Sequence, residues 1–302
     1  MRLSSRARAR LALLFATLIW GTSFVVVQKA LADLPVFHLL ACRFLLATLL
    51  LLPLARGGPG SWSRELRRDG AAIGVLLFAG FTLQTYGLLW TTPSRSAFLT
   101  GLSVVLVPIV ALAFGRRLRP WPTAGSLCAA LGLYLLYRPS GEDSAAVPFG
   151  LGDALTLACA VVFAVWVLVV ERVVRRHPVR ELAVLQFGVV TALSLPSFLF
   201  VPPTADEFSG FAIGAILVMG ILATAGAFLC QLYAQRHLTA VETGVILTLE
   251  PVVAAAFSVL LGVESWTASL TYGGALVLAA MLLSELGGSG EDPEPVAAVP
   301  RS

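Results

Sequence analysis

The chain divides into stretches of about 20 almost wholly apolar residues, the length a helix needs to cross the hydrocarbon core of a bilayer. Clusters of Pro, Gly and charge separate them. Ten such stretches can be drawn, at roughly 11–30, 35–54, 70–90, 94–115, 120–137, 150–172, 179–201, 208–235, 240–262 and 266–284. Of the 302 residues, 58% are hydrophobic and only 13% charged, where a soluble domain carries about 25% charge. So little polar surface cannot face water. A soluble enzyme, a nucleic-acid-binding protein and a secreted disulfide scaffold are excluded, and the expected fold class is an all-α membrane protein of ten transmembrane helices.

Basic residues test this division, because Lys and Arg collect in cytoplasmic loops. With a cytoplasmic N-terminus, the inner segments hold Arg2, Arg6, Arg8 and Arg10, then Arg56, Arg64, Arg67 and Arg68, then Arg116, Arg117 and Arg119. Arg172, Arg175, Arg176, Arg180, Arg236 and Arg301 follow on the same side. Only Lys29, Arg95 and Arg138 fall outside, and Arg43 lies within a span. The net charge of +4 therefore reports orientation and not nucleic acid. Both termini are expected in the cytoplasm of a bacterial inner membrane. The run from Arg2 to Val27 has no small-residue cleavage site and reads as a retained first helix, not a signal peptide. Cys42, Cys128, Cys159 and Cys230 sit in apolar stretches without metal or redox spacing.

An internal repeat organises the spans. Leu83-Gln84-Thr85-Tyr86 matches Cys230-Gln231-Leu232-Tyr233 at an offset of 147, which also brings Gly115 onto Gly262. Ile19-Trp20-Gly21 matches Val162-Phe163-Ala164 at an offset of 143. Each half then holds five spans. Five is odd, so the second half enters from the opposite face, giving two inverted five-helix repeats. That is a common transporter architecture, with substrate near midplane between the halves. The expected divisions are a basic N-terminus 1–10, a first repeat 11–137, an outer linker 138–149, a second repeat 150–286 and a disordered cytoplasmic tail 287–302.

Three stretches resemble the EamA type of the drug/metabolite transporter superfamily, over about residues 11–284. They are Leu-Ile-Trp-Gly-Thr-Ser-Phe (18–24), Ala-Cys-Arg-Phe-Leu-Leu-Ala (41–47), and the pair formed by Tyr86, Ala97-Phe-Leu-Thr-Gly-Leu and Pro108 with Tyr233, Leu249-Glu-Pro-Val and Leu261-Gly-Val-Glu. The resemblance implies export or exchange of amino acids and small metabolites, with no cofactor. Pro108 lies four residues beyond the position equivalent to Pro251, so kinks are expected at different places in the two halves.

Polar groups at bilayer depth are costly and mark functional sites. Glu250 falls ten residues into its span, near midplane, and Thr243 lies seven residues earlier on the same helical face. Their repeat equivalents are Ser103 and Ser96, with Thr100 between, so each half carries a polar stripe expected to face the bundle interior. Glu250 either binds a substrate amine or titrates as a coupling proton site, or it pairs with Arg43 and fixes packing. Arg43 by itself favours the structural ion pair. Glu242, Glu264 and Asp153 read as solvated acids near span ends. Gln84 and Gln231 are repeat-equivalent and expected to line a cavity or to join helices. Trp20 and Trp166 lie inside spans and either stack on substrate or pack, whereas Trp90, Trp121 and Trp266 belong to interfacial belts. Gly70-x-x-x-Gly74 and Gly210-x-x-x-Gly214 predict close helix approach.

No G-x-x-x-x-G-K-[ST] sequence is present and Lys29 is the only lysine, so ATP hydrolysis by this chain is excluded. His38, His177 and His237 stand far apart, and nothing resembles a zinc or triad motif; the chain is not expected to be an enzyme. The sequence therefore points to a secondary transporter exporting or exchanging small metabolites, amino acids or related amphipathic compounds, by alternating access. A passive channel or a lipid-handling protein is the alternative. Its partners are a small-molecule substrate and the bilayer, with protons as a coupling ion and a homodimer both compatible. The cavity is expected between helices one, three, four, six, eight and nine, with helices five and ten as supports.

Overall fold

The computed structural model describes residues 4–55, 58–115, 118, 120–137, 149–204, 207, 209–261, 266 and 268–286. Gly262, Glu264, most of the 138–149 linker and the 287–302 tail lie outside them. Among the described residues every regular element is helical and no strand is formed. Eight helices or helix pairs are long and apolar enough to cross a membrane: Ser5–Ala30, Val36–Leu54, Arg64–Gly87, Pro93–Ala113, Leu151–Val173, Val179–Phe200, Gly210–Gln235 and Ala240–Phe257.

Their starts follow local chemistry. Helix α1 (Ser5–Ala30) is capped by Ser4, whose hydroxyl accepts from Ala7 N at 3.1 Å. Ser63 does the same for α3 (Arg64–Gly87) through Leu66 N, which extends the third span upstream of its apolar run. Such caps satisfy donors that a helix start leaves open. Helices α2 (Val36–Leu51) and α8 (Val179–Ser194) both begin directly after a proline, Pro35 and Pro178.

Five spans depart from a continuous α-helix. Val36–Leu54 ends in a 3-10 turn at Leu52–Leu54, and Val179–Phe200 is interrupted at Leu195-Pro196. Three others change within their length. The fourth is broken at Leu102 into α4 (Pro93–Gly101) and α5 (Ser103–Ala113). The eighth comprises α10 (Gly210–Val218), a π-helical segment Met219–Gly226 and α11 (Ala227–Gln235). The ninth is broken at Thr248 into α12 (Ala240–Leu247) and α13 (Leu249–Leu260). The remaining helices are α6 (Pro120–Tyr137), α7 (Leu151–Val173), α9 (Ser197–Phe200) and α14 (Ala268–Leu286). The kinks were expected to differ between halves because Pro108 and Pro251 are out of register. The breaks at Leu102 and Thr248 instead stand 146 positions apart, within one residue of the repeat offset. Pro108 sits inside α5 without breaking it, whereas the π-helical segment has no counterpart in the continuous α3.

Packing is organised in matched seams. Helix α1 lies against α11 and α13, α3 against α7 and α8, α2 against α8 and the π-helical segment, and α5 against α7. Helices α6 and α14 pack chiefly on one another. The largest apolar core gathers Phe44, Phe81, Phe187 and Phe228 from α2, α3, α8 and α11. Large side chains such as Leu199, Phe200 and Leu260 point outward and are at least 80% exposed, the surface a lipid-facing helix presents.

Small residues set helix separation at one of the two predicted pairs. A Cβ on Gly70 or Gly74 would lie 2.6–2.7 Å from Leu185 or Val189 of α8, so both glycines are needed for the α3–α8 approach. Gly210 and Gly214 face open space instead. The tight approach on this span comes six residues later, where Gly220 meets Leu46 and the Arg43 carbonyl.

Candidate functional site

A cavity lies among the helices, lined by residues of nine of them. Helix α1 contributes Trp20, Ser23, Phe24 and Val27; α3 contributes Phe81, Gln84, Thr85 and Leu88; α7 contributes Phe163, Trp166 and Val167. Arg43 enters from α2, Phe228 and Gln231 from α11. The two broken spans supply Thr100, Gly101 and Ser103 on one side and Leu247 and Glu250 on the other. Helices α6 and α14 add no lining residue. Of the residues singled out in the sequence, Trp20, Arg43, Gln84, Thr100, Ser103, Trp166, Gln231 and Glu250 are thus brought together.

The helix breaks explain how polar groups reach this depth. Pro251 has no N–H and cannot bond the Leu247 carbonyl, so the ladder lapses beside Glu250. Across the cavity, a Cβ on Gly101 would stand 2.8 Å from Pro251 Cγ. The two breaks therefore face each other, with α4 packed on α13 and α12 on α5. Irregular backbone at bilayer depth is tolerated where it lines a cavity.

Two side chains of the cavity hold the π-helical segment. The Trp20 indole N–H donates to Ala223 O at 2.7 Å, and Arg43 Nε donates to Thr224 Oγ1 at 3.1 Å. Thr224 in turn donates to Met219 O, five residues back. Wide π turns leave carbonyls and hydroxyls available to other partners and recur at functional sites. The Arg43 guanidinium also lies over the Phe81 and Phe44 rings, 4.8 and 5.2 Å from their centroids. No salt bridge joins Arg43 to Glu250. Both ionisable groups face the same cavity, each able to meet an oppositely charged ligand group.

Gln84 Nε2 donates to Thr100 Oγ1 at 3.2 Å. The Trp166 indole N–H and Gln231 Oε1 are buried at the cavity and have no partner within the protein. Between the polar groups runs an aromatic wall: Phe228 meets Trp20 edge-on at 4.9 Å, Trp166 at 5.8 Å and Phe81 at 5.9 Å, and Phe81 meets Phe163 at 5.6 Å. Such a site can hold a small molecule with an apolar body, hydrogen-bonding groups and charges of both signs.

Other residues fall elsewhere. Thr243 is fully buried with its hydroxyl unpartnered but is not on the cavity wall; the break at Thr248 disrupts the face that a seven-residue spacing assumes. Glu242 and Asp153 are not solvated acids. Both are buried, and they bind Arg6 and Arg95. Trp90, Trp121 and Trp266 are about half exposed or more, as interfacial residues would be. Phe81, Phe163 and Phe228 were not singled out beforehand. A signal existed, since Phe81 and Phe228 share the 147-residue offset and Phe163 is the counterpart of Trp20.

The bundle and its cavity define a polytopic membrane protein with a site lined by aromatic, polar and charged side chains. The EamA-like transporter family model matches the chain twice, at residues 8–138 and 150–286, and the chain belongs to that family. It is 33% identical over 282 residues to an uncharacterized transporter of Archaeoglobus fulgidus, covering 93% of this chain and 87% of that one. It is 20% identical over 285 residues to the uncharacterized transporter YoaV of Bacillus subtilis, covering 92% and 96%. A protein of known crystal structure shares the fold with a TM-score of 0.74 at 23% identity, covering 93% of this chain and 97% of that one.

Proposed function

We propose that the chain is a secondary transporter of ten transmembrane helices that exports or exchanges a small amphipathic metabolite, an amino acid or a related compound, by alternating access. On this reading residues 11–137 and 150–286 are five-helix repeats of opposite orientation with the cavity between them. The composition of the cavity carries it. Trp20 and Phe163, like Phe24 and Val167, are related by the 143-residue offset. Phe81 and Phe228, Gln84 and Gln231, Thr100 and Leu247, and Ser103 and Glu250 are related by 147.

The seams support the same relation. Exchanging the halves turns α1-on-α11 into α7-on-α3 and α1-on-α13 into α7-on-α5, and leaves α2-on-α8 and α6-on-α14 as they are. A site on such an axis is presented alike to both faces, which alternating access requires. Arg43 would take a substrate carboxylate, Glu250 an amine or a coupling proton, and the aromatic wall the apolar body. The distribution of basic residues supports a cytoplasmic side for both termini, at the inner membrane of a bacterium.

Counterflow in proteoliposomes preloaded with unlabelled amino acids tests the proposal. Saturable uptake accelerated by internal substrate is expected. Flux that rises linearly with concentration and ignores internal substrate would replace the carrier with a pore.

A further inference from the structure

Two ion pairs lie at the ends of the broken spans. At the N-terminal face, Arg6 Nη2 of α1 meets Glu242 Oε1 of α12 at 3.1 Å. Chain direction places the other at the opposite face, because α1, α2 and α3 each cross before α4 begins. There Arg95 Nε of α4 meets Asp153 Oδ1 of α7 at 2.8 Å. In both, the acid side chain is 5% exposed and the arginine 29%.

These pairs are counterparts with their charges exchanged. Arg6 and Asp153 stand 147 positions apart, and so do Arg95 and Glu242. It is the offset relating the cavity residues of α3, α4 and α5 to those of α11, α12 and α13. It is four more than the 143 that relates those of α1 and α7, so Asp153 lies about one turn further along its helix than Arg6. The first half carries a base on both its first helix and its fourth, Arg6 and Arg95, and the second half an acid on both, Asp153 and Glu242. Each pair therefore joins the first helix of one half to the fourth of the other. A sign reversal at one member is matched by a reversal at its partner, so the relation between the halves retains the pairing and not the residue type.

Local chemistry assigns each member a part. Glu242 Oε2 accepts from Thr239 N and Oγ1 at 2.8 and 2.9 Å, closing a capping box. Asp153 Oδ2 accepts from Gly150 N at 2.9 Å, and Oδ1 from Thr91 Oγ1 at 2.9 Å. Each acid is therefore fixed to the start of its own helix. Each arginine is a long, partly hydrated arm, and each buried acid keeps its own helix-start hydrogen bonds when that arm moves away.

Both pairs tie a repeat-related seam, α1 to α12 and α7 to α4. Eight residues beyond Glu242 lies Glu250, and eight beyond Arg95 lies Ser103, so each stands about 12 Å along its span from the cavity. Resting on the transporter reading, we propose that Arg6–Glu242 and Arg95–Asp153 are the two gates of the path, one at each membrane face, opened in turn. Both ion pairs are formed in this structure.

Cysteine accessibility tests this without a substrate. Ser23 of the cavity is changed to Cys in a full-length chain whose four native cysteines are replaced by Ala, and oriented vesicles are treated with a membrane-impermeant maleimide from either side. Arg6→Gln is expected to raise labelling from the N-terminal face only, and Arg95→Gln from the opposite face only. The rise should be roughly threefold or more, given the modest strength of a partly exposed pair. Arg6→Lys and Arg95→Lys, which keep the charge, are expected to label like the parent. Neither change touches the capping acids, and an unaltered melting temperature shows that the bundle is intact. Equal labelling from both faces, or no rise in either Gln variant, would overturn the gates. Face-specific labelling without counterflow would overturn the transport reading and leave the gates standing.

Discussion

Arg43 is tied to Thr224 by a hydrogen bond of 3.1 Å and not by a carboxylate. A guanidinium inside a membrane helix is anchored to a hydroxyl on a π-helical segment, while Glu250 shares its cavity unbridged. Charge at this depth is usually paired. Here the arrangement leaves the charge of Arg43 directed at the cavity.

Removing the anchor should therefore cost stability more than its single bond suggests. Thr224→Val keeps the shape but strands the buried Arg43 Nε, at an expected cost of about 1–3 kcal/mol. Thr224→Ser retains the hydroxyl and should melt close to the parent. Thermal unfolding in detergent, followed by size-exclusion fluorescence, separates the two.

Glu250→Gln breaks no ion pair, because none is made. Folded protein should reach the membrane in parental amount while transport becomes insensitive to an imposed pH gradient. Uptake by proteoliposomes with and without the gradient measures this; parental stimulation by the gradient would remove Glu250 from coupling.

Gln231 Oε1 has no partner in the protein, so its loss should not weaken the fold. Gln231→Leu is expected to melt at or above the parental temperature and to raise the KM for transport about tenfold, the loss of one good hydrogen bond to substrate. A destabilised protein with unchanged KM would make Gln231 a packing residue.

Glycines that look alike in sequence should behave differently. Gly21→Ala would bring a Cβ to 2.6 Å from Val253 and 2.8 Å from the Glu250 carbonyl, an overpacking expected to cost about 1–3 kcal/mol. Gly214→Ala meets nothing within 4 Å and should be neutral or slightly stabilising, since Ala is the better helix former by about 1 kcal/mol. Paired melting curves decide it.

His237 follows the eighth span at the N-terminal face, against the Tyr233 ring at 5.0 Å. Burial, then Arg236 and Arg8, lower its pKa from the usual 6.5. The folded protein thus binds this proton less readily than the unfolded chain. The contribution to stability is complete above 6.5 and declines as pH falls through the lowered value. NMR titration of the imidazole should give a midpoint below 6.5 that rises in Arg236→Gln and Arg8→Gln.

The apolar runs were enough to read the helices, because a bilayer accepts little else, and the matches of Gln84 with Gln231 and Trp20 with Phe163 located most of the cavity wall. That legibility has a physical cause: the membrane imposes segment length, and a repeat places equivalent residues at equivalent depth. Period reasoning failed at Thr243 because it assumed an unbroken helix, and at Gly210 and Gly214 because spacing does not say which face meets a neighbour.

What the sequence by itself determined is the all-helical chain of apolar spans and the family. Only the tertiary structure decided which polar groups meet. Arg43 turned to Thr224 because a π-helical segment brings that hydroxyl within reach. Glu242 and Asp153 found Arg6 and Arg95 because two seams close at opposite ends of the bundle. Such pairings depend on contacts between residues far apart in the chain, and local spacing carries no record of them.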